Sequence, residues 1–319
     1  MKYIKLFDNH SQYESYAGGG GMLKPNVSHC VSENEVHYNP IPHDYKKDYF
    51  TIESLEDNNA FVWVSRDGSY SYTGNPISYS LDNGKTWNSL SEGVIATVNS
   101  GDKILLKAIN SSYHYTGYSG LILTCGIYSR RSFNAYGNIL SMIFGDDFTN
   151  TNNKLNGFIF TFKESEIISA ENLIMPSEFG ENGTIENMFA GCESLITAPQ
   201  LPSTALTSSC YSNMFRGCTS LTTAPELPAT TLADNCYYGM FRDCTSLTVA
   251  PELPATELSN NCYYQMFQNC TGITSEAIVP DSLDKPISSS YCAYMYCNCQ
   301  NITPNGNYHE SAYQCGSPK

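Results

Sequence analysis

Three sets of side chains in this sequence have the chemistry to react or to bind a metal: six histidines, a recurring pair of glutamates and thirteen cysteines. The histidines are His10, His29, His37, His43, His114 and His309, and none stands beside a nucleophile or at a recognised metal-ligand spacing. His37, His43 and Asp44 have suitable donor atoms, but no metal or other cofactor is assigned. A glycoside hydrolase needs two carboxylates set across one bond. Glu226 and Glu252 recur one period apart, yet their equivalents are Gln200 and Ile278, so they are members of a pattern rather than a catalytic pair. The expectation is a chain without enzymatic activity.

The cysteines also follow a pattern. Cys192, Cys210, Cys218, Cys236, Cys244, Cys262 and Cys270 occupy two recurring positions. If a short helix joins the two positions, Cys236 and Cys244 lie roughly 10 Å apart at about 1.5 Å per residue, beyond the disulfide span of about 4.4–6.8 Å between Cα atoms. Helices of neighbouring coils, packed at roughly 8–10 Å, are also too far apart. These seven read as a ladder of free, buried thiols acting as small apolar groups. Cys292, Cys297, Cys299 and Cys315 break the ladder; a bridge, a metal and a cap of free thiols all remain open for them, and their spacing matches no zinc signature.

Behind both patterns lies a repeat. Met188-Phe189-Ala190-Gly191-Cys192, Met214-Phe215-Arg216-Gly217-Cys218, Met240-Phe241-Arg242-Asp243-Cys244 and Met266-Phe267-Gln268-Asn269-Cys270 follow one another every 26 residues, and Met295-Tyr296-Cys297-Asn298-Cys299 follows after 29. Such a period is that of a solenoid. Leu221, Ala224 and Leu227, with Leu195/Ala198/Leu201 and Leu247/Ala250/Leu253, predict a short strand, and Pro225 and Pro228 end it. Ser209, Asn235, Asn261 and Ser290 stand where a helix would be capped. Gly191, Gly217, Asp243, Asn269 and Asn298 stand where it would stop in the left-handed conformation. Between them Cys236/Met240 and Tyr237/Phe241 are i, i+4 pairs, so a two-turn helix is predicted in each copy.

Strand, proline bend and short helix make a leucine-rich-repeat coil. The phrase Cys-Tyr-x-x-Met-Phe-x-x-Cys-Thr-Ser-Leu-x-x-Ala-Pro-Glu-Leu-Pro-Ala-Thr, fullest over 210–230 and 236–256, resembles the BspA-type leucine-rich repeats of gut anaerobes and their phages. The resemblance covers about half the chain and implies adhesion or surface recognition.

The elements around the repeat differ from it. Residues 1–48 read as an N-terminal docking arm, with Gly18-Gly19-Gly20-Gly21 breaking any helix begun at Asp8; the other reading is an edge strand on the next domain. Residues 49–155 read as an antiparallel β-sandwich-like domain with short strands at 49–52, 61–64, 77–80, 93–98, 104–107, 121–124 and 139–144. Ser80, Asp82, Gly84, Thr86 and Trp87 fit the Asp-box, which staples a hairpin; one box is too few for a sialidase propeller. Residues 156–319 then form the solenoid, with a degenerate first coil on Ile167, Ala170 and Leu173, an inserted turn at Glu181-Asn182-Gly183 and a cap over 291–315. The fold class expected is mixed β and α/β solenoid.

Composition limits the partners. Only 15% of residues are charged while 24 are tyrosines, so the surface is polar through Ser, Thr, Asn and Tyr, as in paratopes. A net charge of -14 argues against tracking phosphates, and nucleic acid is excluded. No stretch approaches the roughly 18 apolar residues of a membrane span. The start, Met1 to Asp8, does not read as a secretory signal, which favours assembly in a host cytoplasm. The expected function is a phage virion appendage protein, docked to other virion proteins by its arm, whose repeats recognise a host-surface glycan or protein. Contacts are expected from Thr222, Thr223, Glu226, Thr248, Val249 and Glu252 on a strand face and from Tyr238 and Tyr264 on the helix side. A bacterial cell-surface adhesin and a purely architectural virion subunit are the alternatives, and a homo-oligomer is compatible with each.

Overall fold

The computed structural model describes residues 44–66, 77–90, 93–109, 124–150, 159–162, 164–180 and 185–315. The chain divides into two compact units, Met1–Tyr45 and Lys46–Lys319, and the elements below belong to the second. The expected arm, apart from residues 44–48, and the turn at Glu181-Asn182-Gly183 lie outside the described residues.

Among the described residues the regular structure is mostly β-sheet. The strands are β1 (Phe50–Ser54), β2 (Asn59–Arg66), β3 (Ile77–Ser80), β4 (Asn88–Leu90), β5 (Gly93–Val98), β6 (Lys103–Ala108), β7 (Thr124–Tyr128), β8 (Phe133–Asn138), β9 (Ile159–Thr161), β10 (Ile167–Ser169) and β11 (Leu173–Ile174). One sheet runs β10-β8-β1-β6-β3-β4 with β11 also on β8, and the other runs β5-β2-β7-β9. Alternate residues of β6 turn inward, as a half-buried strand requires. Phe50, Ile52, Phe61, Trp63, Ile104, Leu106 and Phe133 are buried. Phe61 of β2 meets Phe133 of β8 edge-on at 5.2 Å, joining the two sheets.

Two local expectations are corrected. Strands β1 to β8, within 49–155, pair antiparallel, but Ile167, Ala170 and Leu173 do not form a first repeat coil: β10 and β11 join the sheet parallel to β8, as β9 joins parallel to β7. Residues 139–144 are not a strand. At Gly137 (φ +80°) an added Cβ would lie 2.2 Å from the Tyr49 carbonyl oxygen, so only glycine allows this approach. The Asn138 side chain then accepts from the Leu140 amide at 3.0 Å, and the chain enters one helical turn, α1 (Ser141–Phe144).

The larger correction concerns the repeats. Over 185–315 the described residues hold one α-helical turn, α2 (Ser289–Cys292), one 3-10 turn (Glu310–Ala312), and isolated bridges such as Ala205–Thr231 and Thr231–Glu257 in place of strands. The strand-and-helix coil of a leucine-rich repeat does not form, and neither does the expected mixed β and α/β solenoid. Positive φ explains the missing helix. Ser209, Asn213 and Gly217, then Asn235, Gly239 and Asp243, then Asn261, Gln265 and Asn269 all have φ between +51° and +75°. A left-handed residue at every fourth position forbids an α-helix. The missing strand has its own cause: prolines such as Pro225 and Pro228 supply no amide to a ladder.

What forms instead is a stack of turn layers. The amides of Tyr211, Asn213, Phe215 and Gly217 donate to the carbonyls of Cys236, Tyr238, Met240 and Arg242 in the next layer at 2.8–3.0 Å. The intervening amides of Ser212, Met214, Arg216 and Cys218 close i to i-3 turns. Side chains stack in register: Phe162, Phe189, Phe215, Phe241, Phe267 and Tyr296 follow one another at 5.4–5.7 Å. Phe162 also touches Phe50 and Phe133, so the sheet core and the spine of the stack are continuous.

Each spine phenylalanine is fully buried, and truncating one removes its transfer energy and leaves a cavity. Phe241→Ala is expected to lose about 3–5 kcal/mol of unfolding free energy. Gly239→Ala, whose Cβ would stand 2.6 Å from Asn213 Oδ1 at φ +56°, is expected to lose about 1–3 kcal/mol. Guanidinium denaturation measures both; a Phe241→Ala variant within about 1 kcal/mol of the parent contradicts the spine.

Candidate binding surface

The stack places the reactive side chains inside. Cys192, Cys210, Cys218, Cys236, Cys244, Cys262 and Cys270 are free and buried. The later cysteine of each copy donates its thiol backwards: Cys218 to the Phe189 carbonyl at 3.1 Å, Cys244 to Phe215 at 3.0 Å and Cys270 to Phe241 at 2.9 Å. Burial pushes the thiols of Cys192, Cys210, Cys244 and Cys262 up to about 12 and those of Cys218, Cys236 and Cys270 upward as well. A thiol held neutral is a poor nucleophile and a poor metal ligand.

Six of the eight expected contact residues are exposed. Thr222, Thr223, Glu226, Thr248, Val249 and Glu252 are all exposed, and no internal bond to their side chains occurs among the described residues. They occupy equivalent places in two consecutive layers, one period apart. The row continues with apolar groups at either side, for Ile196 and Ile278, at the places of Thr222 and Glu252, are 48% and 67% exposed. Hydroxyl, carboxylate and branched aliphatic groups on a fixed backbone suit hydrogen bonding and contact recognition.

Tyr238 and Tyr264 are arranged differently. Their rings stack on each other at 5.1 Å, and Tyr264 meets Tyr294 edge-on at 5.4 Å. The Tyr238 hydroxyl donates to Gln265 Oε1 at 3.3 Å, which also accepts from Arg242 Nη1 at 3.2 Å. Arg216 and Arg242 both approach Asp243. Sequence reasoning missed Tyr294, Gln265 and Arg242 in this half-buried column, because the shift to a 29-residue spacing hides Tyr294 from the register. Its closest signal is Gln265, which Tyr294 follows by 29 residues.

The Asp-box residues form a local turn. Ser80 Oγ donates to Asp82 Oδ1 at 2.8 Å and accepts from the Gly84 amide, while Asp82 takes the Thr86 amide at 2.9 Å and the Thr86 hydroxyl at 2.7 Å. These donors, the Thr86 amide first, hold the Asp82 carboxyl down at about 2. Asn83 and Gly84 have positive φ and link β3 to β4. Trp87 then lies under the Lys107 ammonium, 4.2 Å from the ring centre, and beside Tyr49 at 5.0 Å. Lys107 pairs with Asp146 at 2.6 Å, and Asp146 also accepts from the Tyr49 hydroxyl. Burial, then that bond to Asp146, raises Tyr49 to about 12. The indole is thus covered by the chain's own cation.

The remaining candidates do not gather into a site. His309 Nδ1 accepts from the Ser311 amide at 3.1 Å and starts a short turn. His37 and His43 lie outside the described residues, and among those described no group of three His, Cys, Asp or Glu side chains is placed to hold a metal. No described helix is long and apolar enough to cross a membrane.

Thiols that ionise near 9 in the unfolded chain and near 12 when folded favour the fold fully below 9, and this advantage is lost as pH climbs between the two values. The denaturation midpoint is therefore expected to fall from about pH 9 upward, less steeply in Cys192→Ala/Cys244→Ala. An equal slope in parent and variant contradicts the assignment. Comparison with known protein families, with curated proteins and with solved structures yields no match.

Proposed function

We propose that the chain is a non-enzymatic recognition protein of a phage particle, docked through residues 1–48, whose repeat layers present a surface to a host glycan or surface protein. The observation that supports it is the exposed row Thr222, Thr223, Glu226, Thr248, Val249 and Glu252, whose side chains make no hydrogen bond among the described residues, on layers that hydrogen-bond and stack on one another. A surface fixed in this way loses little conformational entropy on binding, so modest contacts summed over layers give useful affinity. The phage assignment comes from the resemblance of the motif over 210–256 to repeats of gut anaerobes and their phages. The acidic balance of the whole chain favours neutral or basic partners.

A bacterial surface-glycan panel and whole bacterial cells test this. The full chain is expected to bind one member of the panel or one strain, and Thr222→Arg/Thr248→Arg is expected to lose at least about tenfold in affinity, about 1.4 kcal/mol, with an unchanged melting temperature. Retained binding by that variant, or no binding by the parent to any member, contradicts the proposal. Immunogold microscopy of particles then reads whether the repeats point outward.

A further inference from the structure

The repeat is broken at two positions near its carboxy end, and both breaks hold the last layer. Cys297 stands in the column of Arg216, Arg242 and Gln268, and Glu276 stands in that of Ala224 and Ala250. Cys297 is bonded to Cys315 as a disulfide, the one bridge among the described side chains, of which nine further cysteines are free and buried. Glu276 Oε1 accepts from the Asn305 amide at 3.1 Å and from the Tyr313 hydroxyl. Between these two ties lies the closing segment. Ser311 and Ala312 take the amides of Tyr294 and Tyr296 at 2.8 and 2.7 Å, and Tyr308 and Tyr313 cover the Tyr296 ring at 5.4 and 5.7 Å. Without that segment two amides and the end of the aromatic spine would be bare, the kind of edge on which other chains add.

We infer that Cys297–Cys315 is a redox latch: it locks the closing layer over the open end of the stack under oxidising conditions and releases it when reduced. Position decides reactivity here. Cys315 is exposed while Cys297 is buried, so an external thiolate attacks the Cys315 sulfur, forms a mixed disulfide there and expels the Cys297 thiolate, which takes a proton. A second external thiolate then attacks the outer sulfur of that mixed disulfide and frees Cys315, so one external disulfide is formed for the bridge reduced. Closing is the reverse, with a small soluble disulfide such as oxidised glutathione as oxidant: it becomes two thiols as the two cysteines lose two electrons and two protons. The nine free thiols on the other described side chains are buried and take no part.

Hydrogen exchange with peptide-resolved mass spectrometry on the full chain, air-oxidised or treated with a phosphine reductant, tests the latch. On reduction, peptides over 294–313 are expected to exchange at least about tenfold faster while 209–270 keep their rates, and N-ethylmaleimide is expected to label Cys297 and Cys315 but not the nine buried cysteines. Cys315→Ser, a change at an exposed position, is expected to show the reduced rates with or without reductant. Equal exchange over 294–313 in both states overturns the inference, as does labelling of Cys297 and Cys315 without reductant. Faster exchange throughout 209–270 on reduction also overturns it, because the bridge would then support the whole stack.

Discussion

Half the amides of the turn segments point along the stack, and each must find a carbonyl in the next layer. The rest of the molecule follows from that constraint. To alternate between an i to i-3 turn and an interlayer bond, the backbone returns to the left-handed region every four residues, as at Asn235, Gly239 and Asp243. These positions therefore hold Asn, Asp, Gly or Ser, with Glu164, Gln265 and Tyr294 as departures. No layer satisfies its own amides, so the stack needs a neighbour at both ends. The sheet supplies one, with β10 parallel to β8 on one side and Ser169 bridged to Thr197 on the other. Residues 308–313 supply the second.

Packing fits the same pitch. Rings that stack at 5.4–5.7 Å are within the range in which aromatic pairs gain about 0.5–1.5 kcal/mol beyond burial. The buried thiols use what the backbone leaves over. The Phe215 carbonyl already accepts from the Cys218 amide at 3.1 Å, and Cys244 Sγ fills its second lone pair at 3.0 Å. A carbonyl has two such sites, and a serine in that place would bury a more polar atom. The surface row rides on this interior, so its spacing is set by the backbone rather than by the exposed residues themselves.

Much of this was legible in the sequence, and the errors have a common source. The 26-residue period, the buried Met-Phe pairs and the two cysteine columns are visible because identical layers require identical core atoms. The helix was misread because a chain of turns with period four places i and i+4 on one side, as a helix of 3.6 residues per turn does. Cys236/Met240 and Tyr237/Phe241 therefore satisfy both patterns. The deciding sign was the full four-residue rhythm Ser209, Asn213, Gly217, whose ends alone were read, as a cap and a stop. The thiols are free, although the helix distances used to keep them apart do not apply. Of the proposed contacts, the threonine, valine and glutamate row is exposed, whereas the two tyrosines are spent on each other and on Gln265, a pairing between layers that one repeat cannot reveal. The bridge between Cys297 and Cys315 is not legible in the sequence, because it joins the last copy to a segment outside the repeat.

Scalar couplings across hydrogen bonds in the deuterated full chain test the layered backbone most directly. The amide nitrogens of Phe215, Tyr237 and Phe241 are expected to couple to the carbonyl carbons of Met240, Cys262 and Met266, one layer onward. Couplings from these amides to carbonyls four residues earlier, with none between layers, would mean that the segments are helices and would contradict the account.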